Sequence, residues 1–241
     1  MEKLGVAIGV MCKPPRPGVS KTRLAAHIGG EAAARLSAAF LRDVAACAER
    51  TASLTGANPY ALYAPEDAEG ELRQLLPASF RFMPQREGDL GRTMHRAISD
   101  LLAIGHPGAM VVGADLPTLP ESLLVEAVDV LRARPECVVL GPSLDGGYYL
   151  IGMCVPQPAL FSGIAWSTAD VLSATMVRAE QEGLAVHLLA QWHDVDDGAS
   201  FAYLRRELSG RSGVIPGGPA FHTRQALLAL DEADTGREAH G

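Results

Sequence analysis

The chain has 241 residues, 48% of them apolar, enough for one domain with a sizeable core or one domain plus a small addition. Its formal net charge of −7 excludes a general role on nucleic acid or an anionic membrane surface, so a basic cluster here is a local device. Four scattered cysteines (Cys12, Cys47, Cys137, Cys154), with no Cys-x-x-Cys pair, fit reduced and mostly buried thiols in a cytoplasmic protein.

The opening MEKLGVAIGVMCK superficially resembles a signal peptide. Glu2, the brief apolar stretch and the missing small-x-small site make it a first strand instead, residues 6–12, too short to span a bilayer. After it comes MCKPPRPGVSKTRL, with Lys13, Arg16, Lys21 and Arg23 in one loop. Such a loop is either simply solvated or holds an anion by charge and guanidinium forks. GVSKT within it is not a P-loop. Ser20 stands where glycine is required, and Pro14, Pro15 and Pro17 lack the backbone N–H groups that a P-loop uses. Side chains would do the holding, helped by a helix N-terminus near Thr22.

Apolar residues at helical spacing predict a helix over 31–49, and further helices over 68–76, 90–104, 121–132 and 168–182. The last has Ser167 or Thr168 as its N-cap and Gly183 at its end. Strands are expected at 60–63, 110–113, 138–140 and 149–153. Several are uniformly apolar, and they alternate with helices. The expectation is an α/β protein, a three-layer sandwich around a mainly parallel sheet. Ligands of such sheets bind at the carboxyl ends of the strands, so the loops there carry the chemistry.

Four of those loops stand out. QREGDLGRTMHRA would let a flat base or ribose pass Gly88, Leu90 and Gly91, or would simply cap a helix with Asp89. VVGADLPTLP places Asp115 just past a buried strand, stiffened by Pro117 and Pro120. That position suits Mg²⁺ or Mn²⁺, the alternative being a cap for the next helix. GPSLDGGYYLIGM offers Asp145, then Gly146 and Gly147 for close backbone approach, with Tyr148 or Tyr149 on the substrate side; Asp-Gly also serves as an ordinary hairpin turn. IAWSTADVL adds Trp166 and Ser167 as candidate acceptor contacts. In QWHDVDDGASFAYL, Asp196 or Asp197 reads as a helix cap, and His193 or Asp194 as a second metal ligand.

In order, K-x-P-x-P-G-x-x-K-T-R-L, Q-x-x-G-D-L-G, G-x-D-x-P-x-L, L-G-P-x-x-D-G-G-Y-Y-L-I-G, W-S-T and D-V-D resemble a bacterial family of GT-A-fold transferases. That family is described as associated with radical-SAM and selenium-domain proteins. The resemblance covers residues 5–208 and implies a Rossmann-like nucleotide-diphospho-sugar transferase fold. KTRL and ADLP are more distantly similar to 2-phospho-L-lactate guanylyltransferase and molybdenum-cofactor guanylyltransferase. In those relatives the first loop binds the nucleotide triphosphate and the aspartate matching Asp115 binds Mg²⁺. Two departures stand. Pro117 replaces the second aspartate of the glycosyltransferase Asp-x-Asp, and DGGYYL replaces the glycine-rich substrate stretch of the phospholactate enzyme.

The expected function is a metal-dependent transferase using a nucleotide or nucleotide-sugar donor and a small-molecule acceptor, with glycosyl transfer first and nucleotidyl transfer as the alternative. A non-catalytic nucleotide-binding module is the reading from a different class. Lys13, Arg16, Lys21 and Arg23 would neutralise the phosphates, and Asp115 with Asp145 or Asp194 would hold Mg²⁺ or Mn²⁺. A homodimer stays open. Residues 1–208 are expected to form the transferase-like domain. Residues 209–241 would add a Gly/Pro-rich linker and a helical tail that could dock, join a partner or fray.

Overall fold

The computed structural model describes residues 4–210 and 216–238, so the middle of the expected linker and residues Met1–Lys3 lie outside the described residues. Seven strands form one sheet: β1 (Ala7–Cys12), β2 (Asn58–Tyr63), β3 (Arg81–Pro84), β4 (Ala109–Gly113), β5 (Val138–Pro142), β6 (Tyr148–Met153) and β7 (Val186–Leu188). Their spatial order is β3-β2-β1-β4-β6-β5-β7. Only β6 runs antiparallel to its neighbours. Eight helices accompany them among the described residues: α1 (Thr22–Ile28), α2 (Gly30–Thr55), α3 (Glu69–Arg73), α4 (Leu90–Ala103), α5 (Glu121–Ala133), α6 (Val171–Gln181), α7 (Gly198–Leu208) and α8 (Phe221–Glu238).

The central strands are buried along nearly their whole length because helices cover both faces. On one face Ile8, Val10, Val112 and Val139 join Leu41 and Val44 of α2 and Leu124 and Val128 of α5. On the other, Leu62, Val111, Leu140 and Ile151 join Ile98 and Leu101 of α4 and Ala179 of α6. The protein is therefore the expected mixed α/β sandwich of three layers. Each fully buried Leu, Ile or Val contributes roughly 1.5–3 kcal/mol.

A third cluster lies beside the sheet: Leu24 of α1, Leu36 and Phe40 of α2, Leu204 of α7 and Leu227 of α8. The tail helix is thus docked. Its first N–H groups are capped in trans by Asp43 in the middle of α2: His222 N and Thr223 N donate at 2.9 and 2.8 Å, and Thr223 Oγ1 at 2.6 Å.

Several element bounds differ from the sequence expectation. Strands β3 and β7 have four and three residues and are at most half-buried, so neither leaves an apolar run to detect. Gly29, at φ 85°, separates α1 from α2, and α2 runs on to Thr55 before Gly56 ends it at φ 68°. Residues 68–76 hold only the end of a 3-10 turn and the five-residue α3. Neither Ser167 nor Thr168 caps α6. Its N-cap position is Asp170, and Ser167 adopts a left-handed φ of 63°.

Candidate active site

Strand β1 lies between β2 and β4; the chain goes on from β1 to β2 and from β4 to β5, in opposite directions across the sheet. At this switch point the carboxyl ends of β1 and β4 lie side by side, the position of the ligand crevice in sheets of this kind. The loop after β1 delivers Lys21 and the loop after β4 delivers Asp115. The backbone between β7 and α7 crosses the same edge, fixed by Val195 N donating to Asp115 O at 3.0 Å.

Lys21 is the centre of the arrangement. Its Nζ lies 2.8 Å from Asp115 Oδ2, contacts Asp196 Oδ1, and sits 5.9 Å above the Phe40 ring, with only 5% of the side chain exposed. Burial opposes its charge, but Asp115 and Asp196 outweigh that and hold the ammonium pKa above its ordinary value. The lysine stands at the N-cap position of α1 with φ 54°, ψ 45°, a left-handed conformation rare for a residue with a side chain. Such strain is retained where surroundings dictate the geometry, and it recurs at Ser167.

Around this ammonium the charge is predominantly negative. Asp115 keeps 39% of its side chain open to solvent. Packing on its other sides lifts its carboxyl pKa, opposed by Lys21 and reinforced by Asp196. Burial raises Asp194 to about 6, and the neighbouring charges of Asp196 and Asp145 add to the effect. Two carboxylates from two loops, Asp115 and Asp196, thus share one buried cation, with the charge of Asp194 close to Asp196. This hard-oxygen donor set fits a divalent ion completed by phosphate oxygens and water. The side chains alone do not make a full shell, since among the described residues no three Asp, Glu, His or Cys groups converge as metal ligands.

Asp115 does not cap α5, whose N-cap position is Pro120. Asp89 does cap α4, accepting from Arg92 N at 2.8 Å. Asp197 caps α7 through a capping box with Ser200, which leaves Asp196 to Lys21. Asp196 is the site residue that sequence reasoning assigned only to capping. The Asp197-x-x-Ser200 spacing was the available signal that its neighbour was spare.

The other candidates divide. Lys13 is exposed in the first loop and Arg23 on the first turn of α1. Arg16 is engaged by Glu71 of α3, at 3.1 Å. The β5–β6 turn holds Asp145 by its own backbone, with Gly147 N donating to Oδ1 at 2.9 Å, and Gly146 O accepts from Leu172 N of α6. Tyr149 turns to the core and donates to Ala190 O, whereas Tyr148 packs edge-on against Trp166, ring centres 6.4 Å apart. Trp166 in turn lies on Gly91, where a Cβ would come within 2.2 Å of the indole. The close approach that Gly91 permits is therefore taken by Trp166. Gly88 and Leu90 remain exposed beside it.

None of the curated proteins matches the chain. The chain is 29% identical to a protein of Desulfovibrio desulfuricans G20 described as a "putative nucleotide-diphospho-sugar transferase". The match covers 93% of this chain and 96% of that one, with a TM-score of 0.79. The fold is also that of CMP:2-keto-3-deoxy-manno-octonic acid synthetase, solved with CTP (10% identity, 86% and 100% covered, TM-score 0.56). The inositol-1-phosphate CTP transferase of T. maritima shares it too (12% identity, 87% and 96% covered, TM-score 0.53). A family model matches residues 47–168, which include Asp115, Asp145 and Trp166 and leave out Lys21 and Asp196. On that match over half its length, the chain belongs to DUF2064, a family of uncharacterized proteins conserved in bacteria.

Proposed function

We propose that this protein is a metal-dependent, nucleotide-using transferase, with a nucleotide sugar as donor and a small molecule as acceptor. The observation that carries the proposal is the meeting of Lys21, Asp115 and Asp196 at the switch point between β1 and β4. Support also comes from the near full-length likeness to the Desulfovibrio protein. Lys13, Lys21 and Arg23 would meet the phosphates, and Asp115 with Asp194 or Asp196 would hold Mg²⁺ or Mn²⁺. Arg16 would join them on leaving Glu71. A bound divalent ion would supply neutralisation of the charge that develops on the leaving diphosphate. The chain's own share is positioning. Trp166 and Tyr148 form an apolar wall beside Gly88 and Leu90, and the Asp145 turn closes the acceptor side.

A thermal-shift panel of nucleoside triphosphates and nucleotide sugars, each with and without Mg²⁺ or Mn²⁺, tests this reading, because ligands of the native state raise Tm by mass action. Stabilisation by a nucleotide sugar with metal is expected. Stabilisation by a triphosphate alone would move the assignment to nucleotidyl transfer with pyrophosphate release. If no nucleotide raises Tm, the proposal fails. For an enzyme, Asp115→Asn abolishes turnover while sparing much of the nucleotide affinity. A mutant that turns over like wild type would defeat the assigned role of Asp115.

A further inference from the structure

We infer that Lys21 couples nucleotide binding to metal binding, standing as an internal counter-ion on the metal's carboxylates until phosphates draw it away. This inference rests on the reading of the crevice as a nucleotide-and-metal site. Its basis is the position of the ammonium, which touches both Asp115 and Asp196 while 95% of its side chain is shielded. A divalent ion needs the same oxygens, and two cations cannot share them without strong repulsion at that distance.

The residue type agrees. Of 21 basic residues in the chain only three are lysines, Lys3, Lys13 and Lys21, and the other 18 are arginines. Other ion pairs among the described residues use Arg or His as the cation, as in Arg16–Glu71, Arg50–Glu121 and Arg205–Asp231. A guanidinium would clamp one carboxylate in a planar fork. An ammonium is a compact point charge on a flexible stem, able to stand in for a small cation and to swing to a phosphate. The left-handed backbone at Lys21 and the Phe40 ring beneath it aim the stem at the carboxylates.

In the free protein, then, a metal has to displace Lys21. Phosphate oxygens offer the ammonium another partner, and its departure leaves Asp115 and Asp196 uncompensated beside Asp194 and Asp145. That raises the affinity of the site for a divalent ion, and by reciprocity the ion raises affinity for the nucleotide by the same factor.

The test uses the full chain without any phosphate. Titration with Mn²⁺ alone should show Lys21→Met binding the ion at least about fivefold more tightly than wild type, within the usual span of such coupling. A second measurement needs no variant: acetylation of the wild type, read by peptide mass spectrometry. Lys21 should react far more slowly than exposed Lys13, and saturating Mn²⁺ should accelerate Lys21 selectively. Equal or weaker Mn²⁺ binding by a folded Lys21→Met protein overturns the inference. So does a Lys21 that acetylates as fast as Lys13 in the free chain. Absence of Mn²⁺ binding to either protein also overturns it. The nucleotide-only arm of the thermal panel then decides separately whether the nucleotide reading survives.

Discussion

At Gly146 the backbone has φ 89°, and a Cβ there would lie 2.1 Å from the Ala169 carbonyl oxygen, a backbone atom that cannot swing aside. Gly146→Ala should therefore cost roughly 1–3 kcal/mol through strain and overpacking, read as a lower urea midpoint. It should also shift Asp145, whose turn is seated on α6 through this glycine. Asp194 makes the opposite prediction. Its folded pKa, about 6, exceeds the ordinary carboxylate value of 3.8, so the native state holds the proton more tightly than the unfolded chain. Stability should fall as pH rises from about 4 to about 6 and then level off. Asp194→Asn should remove that slope and stabilise the protein at pH 7.5 by roughly 1–2 kcal/mol, after allowance for solvent screening. Equal Tm–pH profiles for mutant and wild type would refute the assigned environment. The sequence displayed Asp115 and Asp145 because each follows a readable strand, and Asp194 because it stands just before a readable helix cap. It hid the pairing of Lys21 with Asp196, a contact 175 residues apart that only the sheet order creates.

Helix α8 depends on a cap supplied from another helix. The Asp43 carboxylate, itself 7% exposed, takes three hydrogen bonds from His222 and Thr223. Asp43→Ala should cost roughly 2 kcal/mol, combining a lost cap with buried donors left unmet. Asp43→Asn, which keeps one acceptor oxygen, should lose less. Limited proteolysis reports the consequence, with cleavage ahead of α8 rising in Asp43→Ala first. At this scale the fold was legible wherever burial imposes a period. The apolar runs of β1, β4, β5 and β6 and the helical spacing of α2, α4 and α5 were all readable. It was illegible where partners decide. The edge strands β3 and β7 have too few buried residues to leave a pattern. A mid-helix aspartate that caps a distant helix looks like any polar residue on α2.

In the whole molecule, α7 and the crevice are joined by one carboxylate. Glu207 Oε2 on α7 accepts from Thr118 Oγ1 at 3.0 Å, in the loop that carries Asp115, and bonds His193 Nε2 at 3.0 Å, next to Asp194. Thr118 O also accepts from Gly218 N of the tail at 2.7 Å, so the strand-to-helix loop is gripped from two sides. Thr118 and His193 are 1% and 5% exposed, and water cannot replace a partner that either loses. Glu207→Ala should therefore cost roughly 1–3 kcal/mol. Because the two bonds register the loops bearing Asp115 and Asp194 against each other, it should also shrink the Tm gain produced by nucleotide with metal. Glu207→Gln keeps an oxygen for Thr118 and should restore most of both quantities. Thr118→Val in the Glu207→Ala background should add less than it costs alone, since the shared bond is already gone. If Glu207→Ala lowers stability but leaves the ligand-induced gain in Tm at its wild-type size, Glu207 is only a structural bond. The crevice would then be held by the sheet edge alone.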